Sequence, residues 1–153
     1  MAKMPAKVLE TINNPSAVKV MATVDKEGTP NVVYISSLIA IDEETLVYAN
    51  LLGVKTPKNL LQTRKAAINV FAPDPSISFQ IKGEFVEFTS KGPIYEAFTE
   101  HPSLKYDPVF GVKSVGVIRV KEVYSAGGYL SGRRIVPPET YFVEASEKNV
   151  IRY

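Results

Sequence analysis

The sequence predicts a mainly β domain, a small β-barrel with short helices, on three observations. Six runs rich in β-branched and aromatic residues are separated by turn-forming residues. The helical stretches between them are short, and no strand is followed by the Gly-x-Gly-x-x-Gly turn of a dinucleotide-binding βαβ fold. In the run Ser76–Phe88 the apolar parity flips beside Gly83, which marks a bulge; bent strands are how small barrels close.

Taken in order, Pro5 opens a short helix whose Val8, Leu9 and Ile12 share one side, before Asn13-Asn14-Pro15 stops it. The runs 17–25 and 31–41 are two strands joined by a hairpin turn at Gly28 and Pro30, and 45–50 adds a third, so an antiparallel meander is expected. After a helix near residue 56 comes a fourth strand, 66–72, closed by Pro73-Asp74-Pro75. The fifth is 76–88, with Ile77, Phe79, Ile81 and Phe85 on one face and Ser78, Gln80, Lys82 and Glu84 on the other. A short helix from about Pro93 precedes the sixth, 114–125, making a six-stranded antiparallel barrel. Residues 1–136 read as one domain and 137–153 as a C-terminal extension.

Composition excludes several chemistries. The chain of 153 residues has no cysteine and one histidine, which removes disulfides, thiolate metal sites and cysteine nucleophiles, and leaves no metal site in prospect. Eighteen basic against sixteen acidic side chains give a net charge of +2, no field for nucleic acid or an anionic membrane. The first residues carry lysines without a long apolar core, so neither a signal peptide nor a membrane span is expected, and the cytoplasm is the expected location. There is no Gly-x-Ser-x-Gly elbow for a serine hydrolase.

The stretch Gly53–Leu61, GVKTPKNLL, interrupts the β-rich pattern. Thr56 before Pro57 has the N-cap and N1 arrangement, with Lys55 on the loop before it and Lys58 and Asn59 in the first turn. No aspartate or glutamate occurs from Thr45 to Pro73. Outward-pointing amides, the positive end of the helix dipole and nearby lysines suit a phosphate. Thr-Pro helix starts and solvated lysines also occur with no ligand at all.

The order of pieces resembles the FMN-binding split β-barrel family related to pyridoxamine 5'-phosphate oxidase. The likeness runs from Pro5 to Ser125 and rests on the Gly-x-Pro turn into the second strand, the Lys-Thr-x-x-Asn-Leu helix start, and FQIKGEFVEF. It implies a homodimer with one FMN in each of two clefts at the subunit interface. Lys55, Thr56 and Asn59 would bind the phosphate. Ile35, Ser36 and Ser37 on the second strand, with Ala49, Asn50 and Leu51 on the third, would line the ring and ribityl chain. Ser78 and Gln80, with Lys82, would approach the cofactor or the partner subunit.

The sequence also departs from the oxidase. Its Gln-x-Arg is replaced by Ser78 and Gln80, and its Arg-x-His is missing, since Thr99 stands two before His101. Oxidation of vitamin B6 is therefore not expected. What remains resembles small FMN-binding proteins and flavin reductases, with NAD(P)H or another small redox partner as a candidate donor. The alternatives are a binding or sensor module on the same barrel, holding FMN, haem or another ligand without turnover, and a reductase that uses F420. No general acid or base stands out. Arg133 and Arg134 could close over an anion, and Tyr106, Phe110 and Tyr129 could cover a flavin face or pack a dimer.

Overall fold

The computed structural model describes residues 2–51, 53–74, 76–103 and 112–126, and the backbone of 134–136. Three helices, α1 (Ala6–Ile12), α2 (Lys55–Thr63) and α3 (Pro93–Thr99), accompany eight strands. These are β1 (Val18–Val24), β2 (Pro30–Tyr34), β3 (Ile39–Ala40), β4 (Thr45–Asn50), β5 (Lys65–Phe71), β6 (Ser78–Thr89), β7 (Ser114–Ser125) and β8 (Arg134–Val136). One sheet runs β2-β1-β5-β6-β7-β4-β3, with β8 beside β7; each pairing is antiparallel.

The path holds seven strands where the sequence predicts six, because the second run breaks at Ser36-Ser37. Its first half pairs with β1 and its second with β4, so the expected meander is divided between two ends of one sheet. Laid flat, seven strands would span about 29 Å at roughly 4.8 Å spacing. Tyr34 and Ile39 are at most about 18 Å apart by chain length. The sheet must therefore curl until its ends approach, with no ladder between β2 and β3: a barrel closed by a connection and split along one seam.

Inside lie Met21, Leu46, Ile68, Ile81, Phe85, Ile118 and Val120, while Val8 and Ile12 of α1 pack into the same core. Asn13 fixes α1 to β3 through a reciprocal pair, its Nδ2 donating to the Ala40 carbonyl at 2.9 Å and its Oδ1 accepting the Ala40 N–H at 2.8 Å. A second cluster, Ile39, Val47, Ala49, Val115 and Phe98, covers the outer face of β3, β4 and β7 with α3.

The bend expected near Gly83 consists of two register shifts, at Lys82/Gly83, where β7 carries the extra residue Lys121, and at Phe85/Glu87, where β6 carries Val86. The second brings Phe85 and Phe88 to the same side, ring centroids 4.7 Å apart. Gly83 has a steric reason as well. A Cβ there would stand 2.3 Å from Ile118 Cγ2.

Lys19 is 5 % exposed, with Nζ donating to the Ile12 carbonyl at 3.1 Å and the Leu38 carbonyl at 2.6 Å. It ties the end of α1 to the connection that crosses the seam. Burial pulls its pKa from 10.5 down to about 8. Between those values the unfolded chain binds the extra proton, so stability should rise with pH across that window, by on the order of 3 kcal/mol. A neutral amine still offers two hydrogens for the two carbonyls. Urea unfolding at about pH 7.5, below that window, and about pH 10, near its top, should show a gain in the wild type that Lys19→Met lacks; parallel behaviour would mean that the amine titrates normally.

Candidate functional site

The helix expected to be capped by Thr56 begins two residues earlier than the sequence suggests. Lys55 is its first residue, not part of the entering loop, and the N-cap position falls on Val54 with no side-chain cap. Thr56 does not cap because its hydroxyl is engaged elsewhere: it is 6 % exposed, and its Oγ1 accepts from Asn31 Nδ2 at 3.3 Å. Pro57 has no N–H, and Lys58 already donates to the Val54 carbonyl. The amides of Lys55 and Thr56 are thus the outward donors of the first turn.

A four-residue arrangement sets the position of this helix. Thr23 on β1 and Asn31 on β2 are direct cross-strand partners. Facing them, Thr56 and Asn59 lie three apart on one side of α2. Asn31 donates to Thr56, and Asn59 Nδ2 donates to Thr23 Oγ1 at 3.1 Å. Thr63 adds a third tie, its Oγ1 donating to the Val24 carbonyl at 3.0 Å. Sequence reasoning missed Thr23 and Asn31. The one available signal was two polar side chains flanking a hairpin turn within otherwise apolar strands.

A cavity of about 440 Å³ lies between the β1–β2 turn and α2, lined by Lys55, Lys58, Asn59, Gln62, Asn31, Thr29, Asp25 and Glu27. The window that is free of acids in sequence is not free of them in space. Asp25 Oδ1 is occupied by the amides of Glu27 and Thr29 at 3.0 and 2.8 Å, and Glu27 pairs with Lys26 at 3.8 Å. Among the described residues Lys55 and Lys58 are in no ion pair, so both cations are available to an anion.

The remaining predicted residues divide. Ile35, Ser36 and Ser37 are not on a strand but in the connection across the seam, where Ile35 is buried in the core and Ser36 is exposed. Ser37 meets β4, its Oγ accepting the Ala49 N–H at 3.1 Å. Asn50 Nδ2 donates to Ser114 Oγ at 3.3 Å, the Ala49 side chain lies beneath α3, and Leu51 is exposed. Residues 37 and 49–51 therefore form one group, which the chain leads directly into α2.

Ser78 and Gln80 are placed elsewhere in the chain. Ser78 is 2 % exposed, its Oγ accepting from Asn69 Nδ2 at 3.3 Å. Gln80 pairs with Asn69, which pairs with Val20, whereas Thr23 pairs with Ala66 and, through it, Gly83. That offset is three residues along the strands, about 10 Å, and two strands across. His101 is half-buried, with Nδ1 accepting the Ser103 N–H at 3.2 Å; burial lowers its pKa. Tyr106, Phe110, Tyr129, Arg133 and the extension 137–153 lie outside the described residues, and Arg134 is described only as backbone of β8. Among the described residues no cluster could hold a metal, and no helix is long and apolar enough to cross a membrane.

The family model described as pyridoxamine 5'-phosphate oxidase matches residues 4–126. No curated protein matches the sequence. Among solved structures, HupZ of Group A Streptococcus superposes with a TM-score of 0.66 at 24 % identity, covering 82 % of this chain and 97 % of that one. An FMN-binding protein of Syntrophomonas wolfei gives 0.65 at 22 % identity, covering 76 % and 82 %. A haem-binding protein of Mycobacterium smegmatis gives 0.56 at 24 % identity, covering 85 % and 57 %. At these identities the likeness establishes the fold.

Proposed function

The chain belongs to the pyridoxamine 5'-phosphate oxidase family, and on that premise we propose that it is an FMN-binding flavoprotein, an oxidoreductase or electron carrier whose cofactor lies in a cleft between two subunits. The observation that carries this is the start of α2, where Lys55 and Lys58, in no ion pair among the described residues, line one cavity, and the outward amides of Lys55 and Thr56 and the buried Thr56 hydroxyl lie in the same first turn. That donor set fits a phosphate monoester. Lys55 and Lys58 supply charge and Thr56 a directed hydrogen, while the backbone of Ser37 and Ala49–Leu51 offers a flat approach for a ring. When bound, a flavin supplies the hydride or single-electron chemistry. The chain's part is to hold and orient it, which accounts for the lack of an acid–base pair. With His101 the only histidine and Thr99 two residues before it, the chain has no Arg-x-His, and B6 phosphate is not the substrate proposed.

The outer face of β1, β2 and β5 supports a dimer. Val18 pairs with Phe71, Val20 with Tyr34 and Ala22 with Val32, and Val18, Val32, Tyr34 and Phe71 are 47, 64, 64 and 38 % exposed. In β1 the more apolar parity points outward while Lys19 and Thr23 point in. An apolar face of this kind on a closed barrel suits a second copy. Ser78 and Gln80, remote from α2 within one protomer, would reach a cofactor only across such an interface.

The absorption spectrum of the desalted protein tests the cofactor. Flavin bands are expected, released by denaturation as FMN; a Soret band would mark haem instead, and a colourless protein that takes up no added FMN would end the proposal. Sedimentation should give a dimer that Tyr34→Asp dissociates, and a wild-type monomer that still binds flavin would remove the interfacial cleft.

A further inference from the structure

Threonines on the helices of this chain return their hydroxyl hydrogens to the preceding turn. Thr11 Oγ1 donates to the Lys7 carbonyl at 2.7 Å and Thr99 Oγ1 to the Glu96 carbonyl at 3.1 Å, while Thr63 Oγ1 has the Asn59 and Val24 carbonyls, both at 3.0 Å, to share its one hydrogen. Thr56 is the exception. In the first turn of α2 it has no helical carbonyl four residues before it, and among the described residues the one hydrogen bond at its Oγ1 is the one it accepts from Asn31. A hydroxyl has one hydrogen and two lone pairs. With the Asn31 amide on one lone pair, the hydrogen turns away from β2. It is an unspent donor on a side chain 6 % exposed, beside the outward amides of Lys55 and Thr56.

We infer that Asn31 is a positioning residue: by donating to Thr56 Oγ1 it fixes the Thr56 hydroxyl as a donor toward the phosphate, and so contributes to selecting FMN over riboflavin. This rests on FMN being the ligand proposed above. Asn31 is itself held in place, since it is the cross-strand partner of Thr23, which accepts from Asn59. The alternative is that Asn31 merely docks the helix, like Thr63, and does nothing for the ligand. Docking and positioning differ in one respect. A docking residue weakens any flavin equally, whereas a residue acting through the Thr56 hydrogen matters only to a ligand with a phosphate and only while that hydrogen exists.

The test is a double-mutant cycle on the purified full chain, with FMN and riboflavin dissociation constants from flavin fluorescence. Asn31→Ala and Thr56→Val should each weaken FMN roughly 10-fold, the scale of one hydrogen bond to a charged group, with riboflavin changed by less than about 2-fold. The double variant should match Thr56→Val alone, and Thr56→Ser should retain selectivity. Asn31→Thr, which suits a strand, serves if the alanine variant does not fold. Additive losses, or equal losses for both flavins, would overturn the role of Asn31 while Lys55→Ala still discriminated between the flavins. A wild type that bound both alike, with Lys55→Ala changing neither, would overturn the phosphate site and this inference together.

Discussion

Phe85→Ala should cost about 3–5 kcal/mol of stability, a large part of the roughly 5–15 kcal/mol that holds a domain of this size together. The side chain is 2 % exposed and packs against Phe88 with the rings tilted at 52°, and Phe88 meets Tyr48 edge-on at 6.5 Å between centroids. It also sits between the two register shifts of β6, so the surrounding strands are held by bulges and have little freedom to collapse into the space left behind. Because the chain has no tryptophan, urea unfolding is best followed by circular dichroism. A loss under about 1 kcal/mol would mean that the aromatic group is not the centre of the core.

Lys55→Ala should weaken FMN by about 10- to 100-fold while leaving riboflavin nearly unchanged, because a charge-assisted contact to a phosphate is lost and nothing else is. Lys55 is exposed and in no ion pair among the described residues, so its removal should leave the fold intact. Titration of both flavins into the variant measures the ratio. Equal weakening would put the phosphate somewhere other than α2, and the cavity beside Asp25 would then need another occupant.

What the sequence disclosed follows from how local each signal is. The helix at Pro93, the bend near Gly83 and the β-rich runs are set by neighbouring residues, and the structure has all of them. The break at Ser36-Ser37 was hidden because NVVYISSLIAI is apolar throughout, and only closure of the distant ends of the sheet demands a crossing there. Thr56 followed a local capping rule that a partner 25 residues away overrides. The inward face of β1 was equally unreadable: alternation would put its valines inside, yet Lys19 goes in and finds carbonyls from α1 and the crossing connection. The side chains expected around a ring are dispersed for a related reason, since the fold gathers residues 37 and 49–51 ahead of α2 but leaves Ser78 and Gln80 apart from them on β6.

Strand β2, like β3 and β8, has a ladder on one side only, which places it among the strands most ready to fray. Its residues alternate in destination: Asn31 reaches inward to the helix that would seat a phosphate, and Val32 and Tyr34 face outward where a second subunit would lie. Either event quiets the same loose edge, and whichever comes first spares the second part of the ordering cost. On the proposed function, cofactor uptake and self-association would be linked through a single strand, each favouring the other by an equal free energy.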